Sequence, residues 1–148
     1  MVRKTWRPHP PKRLKHKVPE TVKAHVQEKA DHLIKFALKP EHIKPPPKEN
    51  FLNYITDIYS KWYQSYFYFC AMYRCSAPNR ISEFFESRFA RLEYVGNERF
   101  NLSYMRHTGQ WVELFADLSL DDCLESIKYE PHYLPWREGQ QVDAANRR

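Results

Sequence analysis

The spacing of apolar residues changes near residue 50, from the three- and four-residue intervals of a helix to the aromatic and β-branched runs of strands. The first part predicts one helix over residues 20–38, because Pro19 suits the first turn and apolar residues recur along one face. Pro40 and the prolines at 45–47 are expected to end this helix, since proline lacks a backbone donor and restricts the residue before it. The apolar face comprises Val22, Val26, Leu33, Phe36 and Ala37.

Two strands are predicted over residues 51–59 and 63–74, with a short connection near Lys61 and Trp62. Pro78 and Asn79 indicate that a loop follows the second strand. Residues 81–87 are compatible either with a helical turn or with an irregular segment that crosses to the next strand.

The clearest signal for strands is a hairpin whose three-residue loop, 107–109, ends at Gly109. Such a loop requires a left-handed conformation at its last position, which glycine adopts without strain. A second turn is predicted at Gly96 and Asn97. The two hairpins place apolar side chains opposite one another on a common inner face. The predicted pairs on that face are Leu92 with Leu102, Ala90 with Tyr104, Tyr94 with Phe100, Leu102 with Leu114, and Tyr104 with Val112.

A short helix over residues 119–128 is predicted after the sheet, because Ser119 and Asp122 form a capping signature before an apolar stripe. The fold class is therefore α+β, with an N-terminal helix, a five-stranded, mostly antiparallel meander-type sheet and a short C-terminal helix. We expect one domain over residues 19–136, a basic flexible arm over 1–18 and a polar tail over 137–148. The stripe comprises Leu120, Cys123, Leu124 and Ile127.

Positive charge is concentrated at the N-terminus. Of 24 Lys and Arg residues, seven lie within residues 1–18, which hold no acid, so the rest of the chain carries 17 basic against 18 acidic residues. Such an arm can neutralise several phosphates of a nucleic acid, and Trp6 can stack on a base. The alternatives are an acidic protein partner or a terminal extension with no specific role. The candidate nucleic-acid-binding residues are Arg3, Lys4, Trp6, Arg7, Lys12, Arg13, Lys15 and Lys17.

The outer face of the predicted sheet is a second candidate surface. The predicted register aligns Phe89, Met105 and Trp111 in one row, next to Arg91 and Phe115. Aromatic side chains beside arginine can stack on bases or bind a protein. The alternative is that the N-terminal helix covers this face and makes it a second core layer.

Other kinds of site have weaker support. With only three glycines the chain contains neither a dinucleotide fingerprint nor a P-loop, so we expect no cofactor. His25 and His32 can share a helix face, but no further ligand at suitable spacing completes a metal site. His107 lies in a hairpin loop beside Arg106, where a general-base role is conceivable.

The cysteines and the termini indicate the compartment. Cys70, Cys75 and Cys123 are expected to be free thiols, because three cysteines without an export signal do not suggest a disulfide framework. No apolar stretch approaches the roughly 20 residues of a membrane span. We therefore expect a cytoplasmic protein that does not span a membrane.

The order of elements, with Trp111 in the last strand and an acidic start to the final helix, resembles an uncharacterised family of small bacterial proteins, a domain of unknown function. The resemblance covers residues 30–135 and is strongest over 89–115, around the motif 104–111. It implies the fold and no activity. The leading hypothesis is thus a non-enzymatic protein that associates with nucleic acid through its arm. The alternatives are a protein-interaction module that uses the outer sheet face and, third, an enzyme that uses His107 and Arg106.

Overall fold

A computed structural model describes residues 17–46, 53–75 and 82–130 of the 148-residue chain. Helix α1 (Glu20–Leu33) continues through a π-helical segment (Ile34–Leu38) into the short helix α2 (Lys39–His42). Five strands and a last helix, α3, follow in the chain. Their bounds are β1 (Tyr54–Tyr63), β2 (Tyr66–Arg74), β3 (Phe84–Tyr94), β4 (Arg99–Met105), β5 (Trp111–Ser119) and α3 (Leu120–Tyr129).

The five strands form one antiparallel sheet in which every strand pairs with its neighbours in the chain, in the order β1-β2-β3-β4-β5. This meander between an N-terminal and a C-terminal helix confirms the predicted α+β fold. Because consecutive strands are joined by short turns, the alternation of side chains on each strand decides which residues share a face.

The hydrophobic core lies between one face of the sheet, the inner face, and the helices α1 and α3. Phe67, Leu92 and Leu102 are fully buried there and form one cluster with helical residues such as Val26 and Ile127. Val18 also belongs to this core, although it precedes the first helix. Both helices therefore pack on the same side of the sheet, and the opposite side is the outer face.

The first helix runs past the position where it was predicted to stop. Pro40 lies in the first turn of α2, where a missing backbone N–H breaks no essential hydrogen bond. The π-helical segment before it has wider turns, in which the N–H of Lys39 bonds to the carbonyl of Ile34 five residues earlier. The prediction that Pro40 ends the helix is wrong because this change of bonding accommodates the proline.

The turn between the first two strands is also displaced from its predicted place. Lys61 and Trp62 lie within β1 and pair with Tyr68 and Phe67, and the chain turns at Gln64 and Ser65 instead. Gln64 takes the left-handed conformation, with φ of 55°. Because no glycine occupies this position, the sequence does not indicate the turn. Trp62 is held in the strand by its packing on Phe67, with ring centroids 5.0 Å apart.

The segment 81–87, for which the sequence is compatible with a helical turn or an irregular crossing, contains the start of a strand. Its described residues 84–87 form the start of β3 and pair with β2. The predicted bounds of the first strand reach Phe51 and Leu52, which lie outside the described residues. Pro47, Ile81, residues 1–16 of the arm, the end of the predicted domain at 131–136 and the tail at 137–148 also lie outside them.

The central registers are confirmed, and Gly109 has the predicted positive φ, at 89°. The pairing of Leu102 with Leu114 is wrong, because Leu102 pairs with Phe115 and Leu114 is the extra residue of a β-bulge. A second irregularity places Asp117 at φ 60°, and the side-chain oxygen of Asn101 accepts a hydrogen bond from its backbone N–H. The confirmed pairs are Ala90 with Tyr104, Leu92 with Leu102, Tyr94 with Phe100, Tyr104 with Val112 and Met105 with Trp111.

The predicted C-terminal helix is confirmed together with its cap. The hydroxyl of Ser119 accepts a hydrogen bond from the backbone N–H of Asp122 at 3.2 Å, which satisfies one free donor of the first turn. All four residues of the predicted stripe, Leu120, Cys123, Leu124 and Ile127, are buried against the sheet.

Replacing Leu102 by Ala should lower the free energy of unfolding by roughly 2 to 5 kcal/mol, because a fully buried central leucine leaves a cavity. Leu114→Ala is the matched control: the same substitution at the exposed bulge residue that was the predicted partner of Leu102 should cost less than about 1 kcal/mol. Denaturant melts of both variants measure the difference. Equal losses would contradict the bulged register.

Candidate interaction surface

The outer face of the sheet carries aromatic and charged side chains in rows that cross the strands. One row consists of Lys61, Tyr68, Arg91, Ser103 and Glu113, each the register partner of the next. Because the strands twist and pleat regularly, side chains in adjacent rows also come within contact distance. The outer face is thus a continuous surface of side chains from all five strands.

Arginine side chains lie against aromatic rings at the centre of this face. The guanidinium carbon of Arg91 is 4.6 Å from the ring centroids of both Tyr66 and Trp111, and that of Arg88 is 4.6 Å from the ring of Tyr68. The rings of Tyr68 and Trp111 are themselves 5.8 Å apart. These distances are within the range of cation–π interaction. We call these five residues the arginine–aromatic surface.

The two arginines of this surface differ in their partners. Arg88 is exposed and its Nε lies 3.7 Å from a carboxylate oxygen of Glu86. Arg91 is half-buried, enters no ion pair among the described residues, and its Nε is buried without a hydrogen-bond partner there. The rings on either side therefore hold the Arg91 guanidinium in place, and its charge is not neutralised by a carboxylate in contact with it.

A polar cluster adjoins the arginine–aromatic surface on the side of β1. The hydroxyl of Tyr59 donates a hydrogen bond to Glu86, and Nζ of Lys61 lies 3.1 Å from both oxygens of that carboxylate. The bond from Tyr59, with Lys61 close by, lowers the pKa of Glu86, so the carboxylate is ionised at neutral pH. Burial, together with this carboxylate, raises the pKa of Tyr59, so that its hydroxyl stays protonated and remains a donor.

The charges of the outer face balance. Apart from Asp57, whose carboxylate forms an ion pair with Lys39 of α2, the rows of the arginine–aromatic surface and the polar cluster hold three basic and three acidic side chains. The surface alone therefore offers stacking planes and hydrogen-bonding groups more than net positive charge. The basic residues are Lys61, Arg88 and Arg91, and the acidic ones are Glu86, Glu93 and Glu113.

The structure places the residues of the predicted row on two different faces of the sheet. Met105, Trp111 and Arg91 lie on the outer face. Phe89 does not: a bulge between the pairs Phe69–Ala90 and Cys70–Arg88 turns it to the inner face, where it is 5% exposed and packs on Phe69. The assignment of Phe89 to the outer surface is wrong because this one extra residue changes the alternation.

Phe115 also departs from the predicted row. Its register partner is Leu102, a residue of the inner face, and it is 41% exposed near the free edge of β5. The alternative prediction, that the N-terminal helix covers the outer face, is wrong as well. α1 packs on the inner face, and no helix in the described part of the chain lies on the outer one.

Three residues of the arginine–aromatic surface were missed by the sequence analysis: Tyr66, Tyr68 and Arg88. The two tyrosines could have been assigned to the outer face from the alternation along β2. Tyr66 and Tyr68, which carry hydroxyl groups, alternate there with the purely apolar rings of Phe67 and Phe69. The pairing of β2 with β3, which places Arg88 beside them, has no local signal because an unpredicted bulge sets it. Of the candidate nucleic-acid-binding residues of the arm, only Lys17 is described, and it is exposed.

The histidines lie on the helical side or in the hairpin loop. His25 and His32 line a groove of about 730 Å³ between α1 and α3, together with Glu28, Asp121 and Glu125. Within the described residues, no three His, Cys, Asp or Glu side chains converge as metal ligands would. His107 and Arg106 lie in the loop between β4 and β5 and line neither this groove nor the smaller cavity of about 380 Å³ beside it.

Comparison with known proteins places the chain in an uncharacterised group. A family model described as Domain of unknown function (DUF3024) matches residues 18–137, which include every described helix and strand. No curated protein and no solved structure matches the chain. None of the helices in the described ranges has the length and apolar character needed to cross a bilayer.

Thiol labelling tests whether Cys70 is buried beneath the outer face. Cys70 lies beneath the polar cluster, and burial raises its pKa to about 11, while burial raises the pKa of Cys123 in the core to about 12. At pH 8 in native protein, an aromatic disulfide reagent should therefore modify the half-buried Cys75 quickly and the other two slowly. Cys75→Ser should remove the fast phase, and all three thiols should react after unfolding. Fast labelling of Cys70 in native protein would contradict the packing described.

Proposed function

Because the chain belongs to the DUF3024 family, a domain family of unknown function, we propose its function from its own surface: it binds nucleic acid and catalyses no reaction. The observation that carries this proposal is the arginine–aromatic surface on a sheet face that no described helix covers. Sheets that present aromatic rings and guanidinium planes are a recurrent way to bind bases.

In this proposal the arm provides the net positive charge that the outer face of the sheet lacks. The outer face has balanced charge, whereas residues 1–18 hold seven basic residues and no acid. Contacts to phosphates provide most of the affinity of nucleic-acid-binding proteins, because each contact releases condensed counterions. We therefore expect the arm to contribute most of the affinity and the folded domain to contribute contacts to the bases.

A second candidate function is the binding of another protein chain. The specific observation that favours it is the pair Leu114 and Phe115, two exposed apolar residues at the bulge of the edge strand β5. Exposed apolar groups on an edge strand are typical of sites where another chain adds to a sheet. Capture from lysate with and without nuclease separates the two functions, since only partners bridged by nucleic acid are lost on digestion.

An enzyme that uses His107 and Arg106 has less support. Both residues are exposed in the loop, and neither lines the groove between α1 and α3 or the smaller cavity beside it. A catalytic base normally works in a pocket that holds the substrate and excludes water.

Deletion of residues 1–16 should weaken binding to a labelled duplex by orders of magnitude while the melting temperature changes little. The deletion stops before Lys17 because Val18 is part of the core. It removes six basic residues, so if all six contact phosphates the logarithmic salt slope should become about five units less negative. Anisotropy titrations over a salt series measure affinity and slope together.

A full-length variant with the same six residues changed to glutamine is the matched control, since it keeps the length of the arm and removes only its charge. It should behave like the deletion. Equal affinity of the deleted and intact proteins, or no binding by the intact protein at low salt, would contradict the proposed function and favour the protein-interaction alternative.

A further inference from the structure

We infer that the arginine–aromatic surface binds unpaired bases, so that the preferred ligand of the folded domain is single-stranded nucleic acid. This inference rests on the proposed function and specifies its ligand. Its basis is the combination of ring and guanidinium planes with balanced charge in one place on the outer face.

Balanced charge argues against a duplex as the ligand of this surface. A duplex presents mainly phosphates to a broad, flat sheet face, and its bases stay stacked inside the helix. Three acidic side chains lie close to the basic ones and would repel closely spaced phosphates. Glu113 shares the row of Arg91, Glu93 pairs with Tyr66, and Glu86 lies beside Arg88. A single strand can instead turn its bases toward the sheet and its phosphates toward the solvent.

The accessible planes are suitable for stacking. Arg88 is exposed, and the ring of Tyr68 supports its guanidinium from below at 4.6 Å, which leaves the other side of the group available to a ligand. Trp111 is half-buried at the start of β5, where Arg91 contacts its ring. Bases stack on guanidinium planes and on indole rings alike, and such stacking tolerates any base sequence.

Preorganisation adds to this fit. Arg91 lies between two rings, so its guanidinium keeps one orientation without a carboxylate partner in the described residues. A planar cation that is already ordered loses little conformational entropy when a ligand binds. Its uncompensated charge also strengthens the attraction for the electron-rich edges of bases and for nearby phosphates.

The test compares anisotropy titrations of single strands and a duplex with wild-type protein, Arg88→Lys and Trp111→Ala. Arg88→Lys keeps the charge and removes the planar guanidinium, including the Nε that lies near Glu86. Oligothymidylate and oligouridylate serve as the DNA and RNA single strands, and a mixed-sequence duplex serves as the reference. Both variants should bind single strands at least about fivefold more weakly, the lower end of what one base-stacking contact contributes. Duplex affinity and the salt slope of Arg88→Lys should not change.

Arg99→Lys is the matched control, since it makes the same substitution at an exposed arginine at the opposite end of β4 from Met105. Its single-strand affinity should stay within about twofold of wild type. Thermal melts show whether each variant folds. If Trp111→Ala does not fold, Trp111→Phe, which retains a ring, should keep most of the affinity, and Arg88→Lys decides the result.

The outcomes distinguish the two proposals. Binding of duplex by the arm with no loss of single-strand affinity in Arg88→Lys would overturn this inference and leave the proposed function standing. Equal losses for single strands and duplex would also overturn it, because a phosphate contact would then explain the effect. No binding of any oligonucleotide by wild-type protein would overturn both proposals.

Discussion

The packing of both helices against one face of a single sheet is the constraint on which the rest of the structure depends. Val26 from α1 and Ile127 from α3 share one buried cluster with Leu92 and Leu102, so most apolar side chains of the strands turn to that face. The other face then has to be compatible with water while it still carries large rings. Arg88 and Arg91 meet this requirement by covering Tyr68, Tyr66 and Trp111 with charged planes.

The elements that could be predicted from sequence are those with a local cause. Gly109 fixes its hairpin because few other residues adopt the required φ, and Ser119 fixes the start of α3 through a bond to a residue three positions later. The bulges at Phe89 and Leu114 have no such signal. Such irregularities depend on contacts with a neighbouring strand, as at Asp117, where the side chain of Asn101, sixteen residues away, accepts a hydrogen bond from the backbone.

The same distinction holds for the candidate surface. Arg91, Met105 and Trp111 were placed on the outer face from the hairpin registers, which are confirmed around them. Phe89 was misplaced, since one extra residue in a strand sends the side chain to the opposite face. Tyr68 was not recognised because its role depends on the pairing of β2 with β3 and on stacking with Arg88, neither of which follows from the spacing of residues along one strand.

We propose two kinds of contact with one polyanion, one through the charge-balanced aromatic sheet face and one through the basic arm, and the central claim is that the outer face is where bases lie. An amide chemical-shift titration of isotope-labelled protein with a single-stranded oligonucleotide tests this claim most directly. The account predicts that the largest shifts fall on Tyr68, Arg91 and Ser103, which are adjacent across β2, β3 and β4 on the outer face. Shifts confined to the arm, or centred on α1 and α3 while these residues stay unchanged, would contradict it.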